Sequence, residues 1–407
     1  MKSEEVMKIF ARGENQPNLF IVHYSLFTIE RTFSKMKIII APDSFKDSAS
    51  AQNVANAIAR GFLDVMGESV EIVCKPIADG GEGTLDALVG AEGRIRKTVT
   101  GPRKTPIEAV YGCVGDTAVV EMASAAGLML LGTEERSAGE TTSYGVGELI
   151  LDALQRGYRR VMLTVGGSAT NDGGCGMLSA LGASFRNRTG EPFVPTGATL
   201  SEIEKIDLTE LKKTLNGVEF IIATDVKNPL LGETGATVVY GRQKGATDAE
   251  LAHIEQGMKH YAALLGCLSG RSVASVEGCG AGGGIAAPLL AFGEARLQSG
   301  IETVLAVNRF EEALENADLV ITGEGRMDAQ SLFGKAVSGV ARRANARGIP
   351  VYAFVGCLGS EIEQLRSMGL ADVFEARRLA SSDEDSMKNV EKYLYVLAKS
   401  LAAELLR

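Results

Sequence analysis

The sequence repeats one arrangement: a short apolar run, then a polar segment rich in glycine, then a stretch with helical spacing. The first copy joins Met36–Pro42 to a stretch in which Val54, Ile58, Phe62 and Val65 recur every three or four positions. Short apolar runs of this kind are typical of parallel strands that are buried on both faces, with helices connecting them. The arrangement predicts an α/β fold with loops exposed at the carboxyl ends of the strands.

Five of the apolar runs lie in two groups, two near the start of the chain and three near its end. They cover residues 36–42, 70–75, 318–323, 351–355 and 371–374. Neither group suffices for a buried parallel sheet, so we expect both to build one doubly wound sheet of Rossmann or flavodoxin type. The stretch between them has its own strand and helix patterns, which predicts a second, inserted α/β domain. The predicted division is a dispensable extension at 1–35, a discontinuous domain of 36–82 and 286–407, and an inserted domain of 83–285.

Composition narrows the class of protein. Hydrophobic residues make up 45% of the chain and charged residues 23%, which is typical of a globular protein. A formal net charge of −9 without a long basic run argues against nucleic-acid partners, and the uncharged run at residues 278–293 is too short to span a membrane. The six cysteines are widely spaced, which predicts reduced thiols and a cytoplasmic protein. The three histidines are too few to favour histidine-based triads or metal sites.

The loop after the first predicted strand combines an acid, a hydroxyl and a cation. Asp43, Ser44 and Lys46 lie at a strand-to-helix turn, where helix amides favour anions. Asp43 could accept a proton or bind a metal, and Lys46 could bind a phosphate or a carboxylate. An ordinary capped turn is the alternative interpretation.

The next two loops are richer in glycine. The loop after the second strand places Asp79 and Glu82 on either side of Gly80 and Gly81, which suggests a metal or substrate site, with a plain glycine turn as the alternative. The loop Gly166–Gly174 has no bulky side chain and follows an apolar run. Such a loop is poor packing material, and we expect it to wrap a ligand. Its candidate residues are Gly167, Ser168, Thr170, Asn171 and Asp172.

Two further loops add acids and cations. Asp225 follows an apolar run, and Arg242 and Lys244 lie downstream of it, where a capped turn with a solvated basic patch explains them equally well. The last loop contributes these candidates: Glu324, Arg326, Asp328 and Lys335. It is not a P-loop, because Ala336 stands where that motif needs serine or threonine.

One glycine run imitates a dinucleotide-binding fingerprint. Gly278–Gly283 fits G-x-G-x-x-G, follows an apolar run at Val273–Val276 that could be a strand, and precedes Glu302. An NAD-dependent oxidoreductase of a small hydroxy acid is therefore one alternative function. Glycine-dense runs produce this pattern easily, and the residues around Glu302 have helical spacing.

Eight blocks of the sequence, taken in order from Met36 almost to the C-terminus, resemble the type I glycerate kinase family. They include APDSFKDSASA, PIADGGEGT, GGSATNDGGCGMLSALGA, ATDVKNPLLGETGAT, YGRQKGA and DLVITGEGRMDAQSLFGKA. The resemblance implies transfer of the ATP γ-phosphoryl group to a hydroxyl of D-glycerate, with Mg²⁺, in a cleft between two α/β domains. The 2-hydroxyl is the favoured acceptor. A non-catalytic carboxylate-binding protein on the same scaffold is the other alternative, and a homo-oligomer is compatible with the sequence.

A site for two anionic substrates needs positive charge, a base and metal ligands. We expect Lys46 as a catalytic residue, with Asp172 or Asp43 as the base. We expect substrate and ATP to contact Ser44, Gly80, Gly81, Gly167, Ser168, Thr170, Asn171, Arg326 and Lys335, and the metal to contact Asp79, Glu82, Asp225, Glu324 and Asp328.

Overall fold

The structure is a computed structural model and describes residues 35–45, 48–81, 83–327, 336–359 and 368–407. Their strands are β1 Met36–Pro42, β2 Val70–Cys74, β3 Arg94–Thr100, β4 Pro106–Val114, β5 Thr117–Glu121, β6 Arg160–Thr164, β7 Ser184–Arg186, β8 Pro192–Phe193, β9 Lys205–Asp207, β10 Glu219–Ala223, β11 Glu294–Gln298, β12 Leu319–Met327, β13 Val351–Leu358 and β14 Asp372–Glu375. Their α-helices are α1 Ala51–Met66, α2 Thr84–Leu88, α3 Met122–Ala126, α4 Tyr144–Gln155, α5 Cys175–Ala180, α6 Thr209–Thr214, α7 Ala236–Tyr240, α8 Asp248–Ser269, α9 Ala286–Phe292, α10 Gly300–Val307, α11 Phe310–Ala313, α12 Ala336–Asn345, α13 Asp383–Lys388 and α14 Val390–Leu405.

The first and last strands of the chain form one parallel sheet. Its order is β14-β13-β12-β1-β2, and in its register Ile38 is level with Leu319 on one side and Ile72 on the other. The five-stranded parallel sheet predicted from the sequence is confirmed. Its strand order reverses between β1 and β12, because the chain runs from β1 to β2 in one direction and from β12 to β13 in the other. Open parallel sheets bind ligands at such a reversal.

Alternate residues of β1 face opposite layers of helices. Ile38 and Ile40 lie in a core cluster with α1 and α14, whereas Ile39 and Ala41 lie in a cluster with α10 and α12. Since both faces are covered, the strand is apolar from Ile38 to Pro42. Ser50 begins α1 by accepting a hydrogen bond from the backbone N–H of Asn53 (3.2 Å).

The middle of the chain builds a second sheet in the order β11-β10-β6-β5-β4-β3. Its first four strands are parallel to one another, and β4 pairs antiparallel with both β5 and β3. A small sheet, β8-β7-β9, flanks it. The sequence placed everything from residue 286 with the first sheet, but the structure differs here: β11 pairs with β10, and Ala286 and Leu289 of α9 pack in the second core. An interpretation based on apolar runs could not identify this edge strand, because β11 consists largely of charged and polar residues.

A layer of helices lies between the two sheets. Residues of α2, α10 and α12 share one buried cluster with both of them. The first sheet contributes Ile39 and Val320 to that cluster, and the second contributes Val119, Met162 and Ala223. The other face of the second sheet packs on α4, α5, α8 and α9. Among the described helices, none is long and apolar enough to cross a membrane.

Candidate active site

Loops from both sheets border one cleft of about 740 Å³, a volume in the range of small-molecule sites. The bordering loops follow β1, β2 and β6, and the carboxyl ends of β12 and β13 also line the cleft. The following predicted site residues line the cleft: Asp43, Ser44, Asp79, Gly81, Gly167, Glu324 and Arg326.

Asp43 lies where the strand order of the first sheet reverses. Its backbone N–H donates to the carbonyl of Gly323 (2.8 Å), and its Oδ1 accepts from the backbone N–H of Ser44 (2.6 Å). Burial raises the pKa of the Asp43 carboxyl to about 7, and the negative charges of Asp79 and Glu324 add to the rise while the hydrogen bond from Ser44 opposes it. A carboxyl with this pKa can accept and release a proton near neutral pH.

Asp79 is held where the loop after β2 packs against the start of α10. Its Oδ1 accepts from the backbone N–H of Gly81 (3.0 Å). A Cβ on Gly80, whose φ is +85°, would lie 2.4 Å from the Cα of Gly300, and a Cβ on Gly300 would lie 1.8 Å from the carbonyl oxygen of Asp79. Both positions therefore require glycine, and the predicted contact residue Gly80 has a packing role.

Asp225 does not line the cleft but contacts the start of α10. Its Oδ1 accepts from the backbone N–H of Gly300 (3.1 Å). Burial raises the pKa of the Asp225 carboxyl, its hydrogen bonds with Ser299 and Gly300 oppose the rise, and the charges of Asp79 and Glu302 add to it. Asp79 is thus close enough to influence both Asp43 and Asp225. The arrangement favours Asp225 as an anchor for the start of α10 over the metal ligand predicted from the sequence.

The carboxyl end of strand β12 forms another side of the cleft. The strand continues past the predicted end at Gly323 as far as Met327, because it pairs with β13 over that length. A Cβ on Gly323 would lie 1.8 Å from the carbonyl oxygen of Phe354, so the close backbone approach needs glycine there. Glu324 and Arg326 then present an acid and a cation to the cleft.

The loop Gly166–Gly174 is divided between the cleft and the interior. Gly166 and Gly167 line the cleft, and the carbonyl of Gly167 accepts from the backbone N–H of Leu128 (2.8 Å). Ser168 is 8% exposed, and Thr170 and Asn171 are 0% exposed. Only the first part of the loop can therefore contact a ligand in this conformation.

Asp172, in the same loop, is a buried carboxylate that accepts several hydrogen bonds. It is 0% exposed, and its oxygens accept from the backbone N–H and Oγ of Ser143 (2.7 and 2.8 Å) and from the backbone N–H groups of Gly174 and Gly176 (3.0 and 3.2 Å). Burial raises the pKa of the carboxyl, and these hydrogen bonds oppose the rise. This geometry favours a structural role over the catalytic role predicted for Asp172, because its oxygens are engaged in hydrogen bonds and its side chain is buried in this conformation.

Four predicted site residues lie outside the described residues. They are Lys46, Glu82, Asp328 and Lys335. Their roles stay predictions.

The sequence interpretation missed the C-terminal side of the cleft. Arg377, Met387 and Val390 line it, and the guanidinium of Arg377 is held by Asp383 and by the carbonyl of Ala380. These residues follow β14 without a glycine-rich loop, so the pattern that revealed the other loops is absent there. Their position after the last strand of a parallel sheet was the signal that could have found them.

The glycine run at Gly278–Gly283 is not a dinucleotide-binding loop. The apolar run Val273–Val276 before it forms turns instead of a strand. A Cβ on Gly283 would lie 2.1 Å from the carbonyl oxygen of Thr170, so the run packs against the loop behind the cleft. The NAD interpretation lacks the strand that it requires.

Comparison with known proteins decides the family. A model of the glycerate kinase family matches residues 38–406. The chain belongs to the glycerate kinase family. The resemblance predicted from the eight sequence blocks is confirmed.

Relatives in the glycerate kinase family match the chain over most of its length. A glycerate kinase of Halalkalibacterium halodurans is 42% identical over 369 residues, which cover 90% of this chain and 97% of the relative. A glycerate 2-kinase of Escherichia coli K12 is 40% identical over 374 residues, which cover 91% and 98%. A crystal structure assigned as glycerate kinase 2 from Salmonella typhimurium LT2 superposes with a TM-score of 0.83 at 40% identity and covers 91% of this chain and 98% of its own. The predicted α/β class is confirmed.

Proposed function

We propose that this chain is a glycerate kinase that transfers the γ-phosphoryl group of ATP to the 2-hydroxyl of D-glycerate. The observation that carries the proposal is that three acidic residues, Asp43, Asp79 and Glu324, lie together in the cleft. The chain also belongs to the glycerate kinase family. The choice of the 2-hydroxyl draws on the relative from Escherichia coli, which is named a glycerate 2-kinase.

Asp43 acts as the base in this proposal. As the oxygen of the glycerate hydroxyl forms a bond to the γ-phosphorus, the hydroxyl proton passes to the carboxylate of Asp43, and the bond from phosphorus to the β,γ-bridging oxygen breaks to release ADP. The raised pKa of Asp43 suits a base at neutral pH.

The cations of the cleft hold the anionic substrates. Arg326 and Arg377 line it within the described residues, and both can pair with phosphate or carboxylate oxygens. Lys46 and Lys335 are proposed to add positive charge from segments outside those residues. The backbone N–H groups of a glycine-rich loop such as the one at Gly166 and Gly167 suit contact with phosphate oxygens.

The donor set also fits Mg²⁺, which prefers oxygen ligands and commonly takes one or two carboxylates together with substrate phosphates. Asp79 and Glu324 would hold it. Within the described residues, no three acids, histidines or cysteines are placed so that they could hold a metal ion by themselves. When bound, Mg²⁺ would neutralise charge on the phosphates.

We also propose that the two sheets belong to two domains with the cleft between them. The strand pairing supports a division after Gln298 instead of before residue 286. The cytoplasmic location, the oligomeric state and the lack of a nucleic-acid partner stay predictions.

The test is incubation of the purified chain with ATP, Mg²⁺ and D-glycerate, with identification of the phosphorylated product by NMR. We expect ADP and 2-phosphoglycerate in equal amounts, and neither when glycerate is omitted or when EDTA is added. Release of ADP without glycerate would refute the proposal, whereas binding of glycerate without ADP formation would favour the non-catalytic alternative. Formation of 3-phosphoglycerate would keep the kinase and overturn the proposed position.

A further inference from the structure

A buried lysine contacts the loop Gly166–Gly174 from a distant part of the chain. Lys244 is 74 residues from Thr170, yet its Nζ donates to the Thr170 carbonyl at 2.7 Å. The lysine is 2% exposed. The interpretation of Lys244 as part of a solvated basic patch is therefore wrong.

The segment that carries Lys244 is fixed at several points. Thr237, seven residues earlier on α7, accepts a hydrogen bond at its Oγ1 from the Nδ2 of Asn171 (2.9 Å) in the same loop. The following residue, Gly245, has φ +90°, and a Cβ there would lie 2.3 Å from the carbonyl oxygen of Arg136. The turn around Lys244 is thus held against its neighbours, and its side chain provides a fixed contact for the loop.

Packing alone does not account for an amine at this position. Removing an ammonium group from water costs free energy, and methionine would fill a similar space without that cost. Burial lowers the pKa of Lys244 to about 7, and the negative charge of Asp172 opposes that change. The amine and the carboxylate are therefore placed in one buried region, where each offsets part of the desolvation cost of the other.

We propose that Lys244 is a positioning residue for substrate binding. Its Nζ holds the carbonyl of Thr170, and through the short chain from Thr170 to Gly167 it fixes the backbone that lines the cleft. The inference rests on the proposed function, because it assumes that this backbone contacts a substrate of the kinase.

Loss of the amine leaves the buried Thr170 carbonyl without its hydrogen-bond donor. The loop then loses the hydrogen bond from Lys244, while the Asn171–Thr237 hydrogen bond remains. Because the loop binds substrate before and during the reaction, its displacement weakens binding in both states, which raises KM more than it lowers kcat.

The test compares the full-length wild type with Lys244→Met by hydrogen exchange and by steady-state kinetics. In the variant we expect the amides of residues 166–174 to exchange at least tenfold faster, the KM for glycerate or ATP to rise at least tenfold, and kcat to change less than threefold. Ile58→Ala is the matched control, since Ile58 lies in the core between α1 and the first sheet and its loss lowers stability without touching the loop. If Lys244→Met does not fold, Lys244→Gln, which keeps a neutral donor, is measured in the same way.

Each result bears on the inference. Equal exchange of the loop in the lysine variant and in Ile58→Ala would overturn it, and so would faster exchange with unchanged KM. A wild type that does not phosphorylate glycerate would refute the proposed function instead, and the exchange measurement would still decide whether Lys244 holds the loop.

Discussion

Replacement of Asp43 by asparagine is expected to have opposite effects on activity and on stability. The amide keeps the shape of the side chain and can still accept the hydrogen bond from the backbone N–H of Ser44. It cannot accept a proton from a substrate hydroxyl. It also removes a negative charge that the fold places beside Asp79 and Glu324.

The magnitude of the stability effect follows from the raised pKa. The rise from 3.8 to about 7 corresponds to about 4 kcal/mol at about 1.4 kcal/mol for each tenfold change in proton affinity. The sign is that of a group whose pKa is higher in the folded state: stability is complete below about pH 4 and is lost as pH rises through 7. Between pH 5 and pH 8, the free energy of unfolding of Asp43→Asn should therefore rise by about 2–3 kcal/mol relative to that of the wild type.

The assay is urea unfolding of both proteins at pH 5 and pH 8, with EDTA and without nucleotide, so that neither a metal nor ATP neutralises the acidic group. Glu92→Gln, a change at an exposed position away from the cleft, is the control and should show no such trend. In the kinase assay with Mg²⁺, Asp43→Asn should lose roughly 10²- to 10⁴-fold in kcat, the usual contribution of a general base. An equal pH dependence in the variant and the wild type would refute the electrostatic reasoning, and retention of more than a tenth of kcat would remove Asp43 as the base.

Three further predictions concern packing, charge and the N-terminus. Gly300→Ala should lower the free energy of unfolding by about 1–3 kcal/mol, because its Cβ would meet the Asp79 carbonyl oxygen, while Gly90→Ala, with open space around it, should stay near the wild type in urea unfolding. Asp152 accepts hydrogen bonds from Lys97, Tyr111 and Arg156, which outweigh the effect of its burial and hold its pKa below the ordinary value. Asp152→Asn should lower the free energy of unfolding by about 1–2 kcal/mol at pH 7. In acid unfolding this difference should shrink as the pH falls below about 4, and a constant difference would contradict the charge argument. A chain that begins at Met36 should keep its melting temperature within a few degrees and its full activity, and a drop of more than about 8 °C in calorimetry would show that residues 1–35 contribute to the core.

The parallel sheet could be predicted because its signal is local. A strand buried on both faces must be apolar where it is buried, as in Ile38–Pro42, and the loop that follows it must be polar if it borders a ligand site. The same logic found Asp43, Asp79 and Glu324, which line one cleft although they are far apart in the chain.

The parts that could not be predicted depend on tertiary contacts. Asp172 and Gly167 belong to one glycine-rich loop, and only the fold determines that the first turns inward to meet Ser143 while the second faces the cleft. Likewise, the lysine that follows Gln243 and precedes Gly245 has the same local sequence whether it is solvated or buried, so the environment of Lys244 could not be assigned. The edge strand β11 was missed because one partner strand stabilises it and little apolar sequence is needed.

The helix layer between the two sheets has a consequence for folding. Ile39 of the first sheet and Met162 of the second belong to one continuous buried cluster, so neither sheet can open without exposing apolar surface of the other. The molecule should therefore unfold in one cooperative step, although its strands form two sheets. A ligand that binds in the cleft then protects residues of both sheets against denaturation, because its binding energy is shared by the whole cooperative unit.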